Sequence, residues 1–368
     1  MAKSISRSQL NATRMSSSVW QKVVAIGIDL GDRFSRWCAL DGEGEVVTEE
    51  RVPTTRPAMT KLFSLMDRKR IALETGTHSP WVSRLLESFG HEVLVANSRK
   101  LQLISKNRQK DDRNDARTLA RLARFDTELL YPVRHRSQTA QSHLELVRAR
   151  DVLVTVRTRV ANHLRGAVKP FGMRLPSCSP GALVKKAPAA IPPELQTAMH
   201  PLLDLIKTLS IQISQYDRQI ERLAENEYAT SQALRQIKGV GALTALAFML
   251  TLSDASRFRR SRSVGAWLGL TPARHDSSDT QTQKRISKEG DHYVRRLLVG
   301  SAQYILGPFG DDCDLRRHGL AIAARGGKNA KRRATVAVAR KLGVLLHRLW
   351  VTQAIYVPLR QLGAKSAA

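Results

Sequence analysis

The chain has 368 residues, enough for two or three domains with cores of their own. Lys and Arg number 60 against 32 Asp and Glu, a formal charge of +28 that calls for a polyanionic partner, with nucleic acid the first candidate. No run approaches the roughly 18 apolar residues of a membrane span, the first twenty residues lack an apolar signal core, and Cys38, Cys178 and Cys313 are too scattered for a disulfide framework or a zinc site.

Those features predict a reduced, cytoplasmic, nucleoid-associated protein with no membrane partner. Residues 1–20 read as a disordered, mildly basic tail. Val23 to Ile28 is a short β-branched run that reads as a buried strand, and it ends on Asp29. RWCAL and EVVTEERV read as two further strands around an Asp41-Gly42-Glu43-Gly44 turn, followed by a helix from Pro57 to Met66. Ile71 to Leu73 is another apolar run, delivering Glu74 immediately before Thr75-Gly76. A helix over Trp81 to Phe89 and a strand in HEVLVAN complete the alternation. Asp112 and Asp115 open a run with helical period (Ala116, Leu119, Ala120, Leu122, Ala123), and their spacing of three puts both carboxylates on one helix face. Residues 21–134 are therefore expected to form an α/β domain with one mixed sheet. Acids that converge repel one another unless a divalent cation neutralises them. Taken singly, each is also what a helix cap or a solvated charge looks like.

Residues 135–230 read as helical. Leu144, Val147, Leu153, Val156, Val160 and Leu164 form one apolar side, prolines at 170, 176, 180, 188, 192 and 193 break regular structure over 170–193, and Leu202, Ile206, Leu209, Ile213, Tyr216, Ile220 and Leu223 form a heptad seam. The seam fits a helix packed on its own domain, or a coiled coil with the earlier helix or with a second subunit. Self-association, as a dimer or tetramer, is the favoured expectation. Residues 231–368 read as mainly α. Gly239-Val240-Gly241 before a helix suits either a phosphate-facing hairpin or a tight helix–helix turn. Between Leu315 and Ala368 stand twelve Lys and Arg and no acid, and Arg274, Arg285, Lys288, Arg295 and Arg296 are candidate phosphate contacts by composition. Aromatics make up only 5% of the chain, so backbone contact is expected to dominate.

Four stretches together carry a resemblance: GIDLGD; ALETGTHSPWVSRLLESFGHEVLVAN; KDDRNDARTLARL; and the segment from IKGVGALTALAFML through TPARHDSSDTQTQKRISKEGDHYVRRLLV to the basic RGGKNAKRRATVAVARKL. In this order, over Val23 to Leu349, the chain resembles the DEDD transposases of bacterial insertion sequences, recombinases that use a bridge RNA. The resemblance implies a RuvC-like N-terminal domain of ribonuclease H-like fold whose acids are Asp29, Glu74, Asp112 and Asp115, with Asp111 a non-catalytic neighbour and Asp32 a fifth acid by proximity that the motif does not select. It implies a C-terminal transposase domain with a nucleophilic serine. Aligned without a gap between Pro272 and Ile286 that serine is Ser277; a slip of one residue makes it Ser278. Ser278 and Asp279 stand where the family usually has glycine.

A serine hydroxyl needs activation by a base or a metal ion, and four carboxylates can hold one or two Mg²⁺ ions against a phosphodiester. The expectation is a DNA recombinase acting on donor and target DNA through a phosphoserine, with a bridge RNA choosing the sites. The rival with the same acids is a junction nuclease that uses water and makes no use of Ser277. An actin-like ATPase, suggested by Asp29-Leu30-Gly31, lacks its second phosphate loop, and a purely architectural binder leaves the four acids unexplained.

Overall fold

The computed structural model describes residues 17–98, 100–101, 112–277 and 280–360. The chain divides into two compact units, Met1–Arg136 and Ser137–Ala368. None of the helices among the described residues is long and apolar enough to cross a membrane.

The first unit begins with a short helix α1 (Ser17–Lys22) and the strands β1 (Ala25–Asp29), β2 (Phe34–Leu40) and β3 (Val46–Pro53). Helix α2 (Arg56–Phe63), strand β4 (Arg70–Glu74), helix α3 (Ser79–Ser88), strand β5 (Glu92–Ala96) and helix α4 (Asp112–Phe125) follow. The five strands form one sheet in the order β3-β2-β1-β4-β5. β1 runs antiparallel to β2 and parallel to β4, which is parallel to β5. Alternation along the strands explains the layering. Ile26 and Ile28 of β1 and Ile71 and Leu73 of β4 are fully buried with Met59 and Phe63 of α2 and Val82 and Leu86 of α3. The intervening positions, Ala25, Gly27 and Ala72, are small and face α4, whose Leu119, Leu122 and Ala123 share a core with Ala25 and Ala72. Gly27 is required by this contact: a Cβ there would collide with the Ala116 carbonyl and the Ala120 amide of α4. Arg117 of α4 forms a two-pronged pair with Glu49 of β3, at 2.6 and 2.8 Å.

The second unit is helical apart from one hairpin. Two long helices, α5 (Gln138–Ala167) and α7 (Gln196–Asn226), pack along each other, with the short α6 (Pro180–Lys186) between them in sequence. The stretch 170–193, expected to lack regular structure, is folded. Ser179 caps α6, Pro180 sits in its first turn where a missing N–H costs nothing, and Leu183, Ala187 and Ile191 are buried with Leu164 and Ile206. The heptad seam is also filled from within the chain. Ile206, Ile213 and Ile220 are at most 4% exposed, and Arg150–Asp217 (2.7 Å) and Arg157–Ser210 (3.2 Å) tie α5 to α7. Among the described residues the seam is filled by α5, the pairing with the earlier helix that the heptad allowed, in place of the favoured pairing with a second subunit.

Helices α8 (Ser231–Arg235), α9 (Ala242–Leu252) and α10 (Arg262–Trp267) lead to the antiparallel strands β6 (Pro272–Ser277) and β7 (Thr280–Ile286). Helices α11 (His292–Leu306), α12 (Asp314–Ala324) and α13 (Ala330–Thr352) complete the unit. α9 is buried along its whole length, in one core with Leu144, Val147, Leu298, Leu342 and Leu346. Gly239, at φ +94°, packs on α11 so closely that a Cβ would come within 2.8 Å of Tyr304. The Gly239 half of the glycine hairpin is thereby explained as a tight helix–helix turn.

Candidate active site and nucleic-acid interface

The acids of the first unit reach one end of one sheet face by strand register. β1 and β4 pair in parallel with Ile28 opposite Leu73, so Asp29 and Glu74 follow at the same level. By alternation both share a face with Gly27 and Ala72, the face that α4 covers. Asp115 is the residue before Ala116, whose carbonyl abuts Gly27. Its closeness to Glu74 is registered electrostatically. Burial pushes the half-buried Glu74 carboxyl above the usual carboxylate range, and the negative charge of Asp115 pushes it further. Asp112 supplies backbone to the first turn of α4, but its side chain and all of Asp111 lie outside the described residues. Among the described residues no group of three or more His, Cys, Asp or Glu side chains gathers at metal-holding distance.

The donor set itself suits a hard divalent cation. It offers carboxylate oxygens only, and Glu74 is raised by burial and by a neighbouring acid, the state that a bound cation relieves. The loops behind the acids are pinned. Thr54 Oγ1 donates to the Gly31 carbonyl at 2.8 Å and is 2.8 Å from Ser35 Oγ, fixing the turn after Asp29. Thr75 donates its N–H to Ala96 O at 3.0 Å and its hydroxyl is 2.8 Å from Ser98 Oγ, fixing the residue after Glu74. The Trp81 indole N–H donates to His78 Nδ1 at 3.0 Å, so a neutral His78 carries its proton on Nε2, 3.4 Å from the exposed Asp32 carboxylate. Asp32 is therefore held at the rim by His78.

In the second unit the polar segment around Ser277 is a β-hairpin. Ser277 pairs with Thr280 at its tip, and Arg274 pairs with Gln283 after an irregularity next to Pro272. The side chains of Arg274, His275 and Ser277 are not described, and Ser278 and Asp279 lie outside the described residues. The five candidate phosphate contacts separate. Arg285 and Lys288 line an open cleft together with α13. Arg296 is engaged by Asp151 and lies over the Tyr293 ring, 5.1 Å from its centre. Burial pushes the Tyr293 hydroxyl up to about 12, with the Asp151 charge adding to it.

Arg295 is a correction. It is 8% exposed, and its guanidinium donates to the carbonyls of Leu268 (3.1 Å), Gly290 (3.0 Å) and Glu289. It clamps the 287–290 turn onto the end of α10 and has no face left for a phosphate. Gly269 (φ +68°) and Gly290 (φ +75°) are bound to the same turn, since a Cβ on either would strike backbone across it. Asp291 then caps α11, accepting from Val294 N at 3.0 Å. The Ile286-to-Asp291 segment thus has a structural reason: it anchors the return strand of the hairpin.

Comparison with known proteins gives matches along most of the chain. A family model described as "Transposase", of the DEDD IS110 type, matches residues 26–172, and one described as "Transposase IS116/IS110/IS902 family" matches residues 231–308. A probable family 20 transposase of Pseudomonas aeruginosa is 28% identical over 341 residues, 90% of this chain and 98% of that protein. The transposase for insertion sequence element IS1111A of Coxiella burnetii is 26% identical over 90% of each chain. The transposase for IS1328 of Yersinia enterocolitica is 28% identical over 76% of this chain and 83% of its own length. One match falls on the acid-bearing sheet and α5, the other on the helices and hairpin of the second unit, so the class is a DEDD-type transposase. The chain belongs to the IS110 family of transposases.

Proposed function

We propose that this protein cuts and rejoins DNA strands as the transposase of an insertion sequence, with Asp29, Glu74, Asp112 and Asp115 as the metal-holding acids and Ser277 as the nucleophile. The observation that carries the reading is the parallel register of β1 and β4, which brings Asp29 and Glu74 to one level on the face that α4 covers, where burial and then the charge of Asp115 raise Glu74. The strand order β3-β2-β1-β4-β5, antiparallel on one side of β1 and parallel on the other, supports a RuvC-like, ribonuclease H-like assignment of the first unit.

One or two Mg²⁺ ions held by the four carboxylates would supply charge neutralisation at the scissile phosphate and at the attacking and leaving oxygens. The chain's own part is to deliver the Ser277 hydroxyl to phosphorus. The Ser277 Oγ–P bond forms as the P–O bond to the departing deoxyribose oxygen breaks; the serine proton is lost and the leaving oxygen takes one up. Attack on the phosphoserine by a hydroxyl of a second DNA end reverses the balance, so no nucleotide cofactor is consumed. The joining partners are donor and target DNA, with a bridge RNA choosing both and a homo-oligomer, dimer or tetramer, assembling the ends. Contacts between copies would use surfaces other than the heptad seam.

Denaturing electrophoresis of labelled DNA after reaction with Mg²⁺ tests this. The expected product is a covalent protein–DNA adduct that Ser277→Ala abolishes. Strand joining by Ser277→Ala, or cleavage with no adduct, overturns the serine assignment in favour of water as nucleophile. Ser278→Ala separates the two candidate serines, since adduct formation should survive it.

A further inference from the structure

A cleft of about 1690 Å³ opens in the second unit between α13, the base of the β6–β7 hairpin, the start of α12 and the segment 354–360. That segment is a built wall. Gln236 donates to the Ala354 carbonyl at 3.3 Å and accepts from Tyr356 N at 2.8 Å, and Asp314 N donates to the Pro358 carbonyl at 2.8 Å. Nine Lys and Arg line the cleft, five of them on α13 (Arg332, Arg333, Arg340, Lys341 and Arg348), against a single acid, Asp314. Among the described residues none of the nine is in an ion pair, whereas elsewhere in the unit Arg150 is neutralised by Asp217 and Arg317 by Asp312. Between these charges lies apolar surface. Ile355 is 84% and Val357 56% exposed, and Val336, Val344 and Leu345 are half-buried beside them.

We infer that this cleft holds an unpaired DNA strand, with its phosphates on the basic rim and its bases against the apolar floor. A duplex presents phosphates outward and keeps its bases stacked inside, so it would match the rim and leave the floor facing charge. A single strand satisfies both, because every base has an apolar face that stacks without sequence preference. DNA is favoured over RNA on two grounds. Among the described residues the floor offers no row of uncharged side-chain donors and acceptors to read a 2′-hydroxyl, and Pro272, Arg285 and Ile286 of the hairpin that bears Ser277 form one wall. The second ground rests on the function proposed above; the charge and the apolar floor do not.

Fluorescence anisotropy with the full chain in EDTA tests the inference, using a labelled DNA strand of about 12 nucleotides, the same strand as a duplex, and the RNA of the same sequence. The single DNA strand should bind most tightly. Ile355→Ser with Val357→Ser should weaken that binding roughly tenfold, the loss of the apolar surface these two side chains offer the bases, and leave duplex binding unchanged. Both positions are exposed, so folding is not at stake, and a matching circular dichroism spectrum checks it. Arg332→Gln with Arg348→Gln should lower the log–log salt slope by about 1.4, two phosphates at about 0.7 each. Duplex or RNA binding that Ile355→Ser with Val357→Ser weakens as much as it weakens strand binding overturns the inference, as does an unchanged strand Kd in that double variant. Failure here with an intact Ser277 adduct removes only the cleft assignment. Strand binding without any adduct removes only the serine chemistry.

Discussion

The two units divide the electrostatics unequally. Each holds 16 Asp and Glu, but the first has 24 Lys and Arg and the second 36, giving net charges of +8 and +20. In the first unit acids meet at the end of a buried sheet, where Glu74 is raised by its neighbour. In the second the surplus of base collects along a cleft whose nine Lys and Arg are in no ion pair among the described residues. Frustration of opposite sign in two places is a signature of ligand sites, because folding alone would select against it. One unit calls for a cation, the other for a polyanion.

Four measurements sharpen or break that contrast. Asp29→Asn or Glu74→Gln should lower strand cleavage at least about 1000-fold in a gel assay with Mg²⁺, about 4 kcal/mol of barrier, while DNA-strand affinity stays the same. A parallel loss of affinity would mean that the acids serve folding. Gly27→Val should cost about 3 kcal/mol in denaturant unfolding, because the added side chain meets α4 backbone that cannot step aside.

Arg295→Met should cost about 2 kcal/mol, as three carbonyls lose a charged donor, and should leave the salt slope of DNA binding untouched. A shallower slope would return Arg295 to the phosphate contacts. Arg117→Ala should cost only about 1 kcal/mol, since the pair with Glu49 is partly solvated. The pH dependence has a definite sign. The hydrogen bonds and charge of Arg117 hold the Glu49 carboxyl below its ordinary value of 4.5. The pair's stabilisation is therefore complete above that value and is lost as pH falls through the lowered one. Wild type and variant should converge in acid and separate at neutral pH.

Much of the first unit was legible in the sequence because its signals are local. Val23 to Ile28 and Ile71 to Leu73 are β-branched or apolar runs that end on acids, and the observed strands end on Asp29 and Glu74. What periodicity could not supply was the partner of each face. The heptad of α7 names a seam but not what fills it, and α5 of the same chain does. Proline density misled over 170–193, because Pro180 opens a helix as readily as it breaks one. Arg295 looked like its exposed neighbours, since a buried clamp and a phosphate contact use the same residue type. A signal for its role lay in Gly290 and Asp291 just before it, a positive-φ turn and a cap that bring carbonyls to one point. The cleft was half legible. The acid-free run after Leu315 announced the charge, but the wall at 354–360 is held by Asp314 and by Gln236, the latter more than a hundred residues earlier.

The parallel register of β1 with β4 also restricts how such a chain can change over time. Because side chains alternate at every step, adding or losing one codon inside either strand would swing its carboxylate to the opposite side of the sheet. Lineages of this half of the protein can drift by substitution within the strands and can alter length only in the connections. The same restriction applies to anyone grafting new segments onto it.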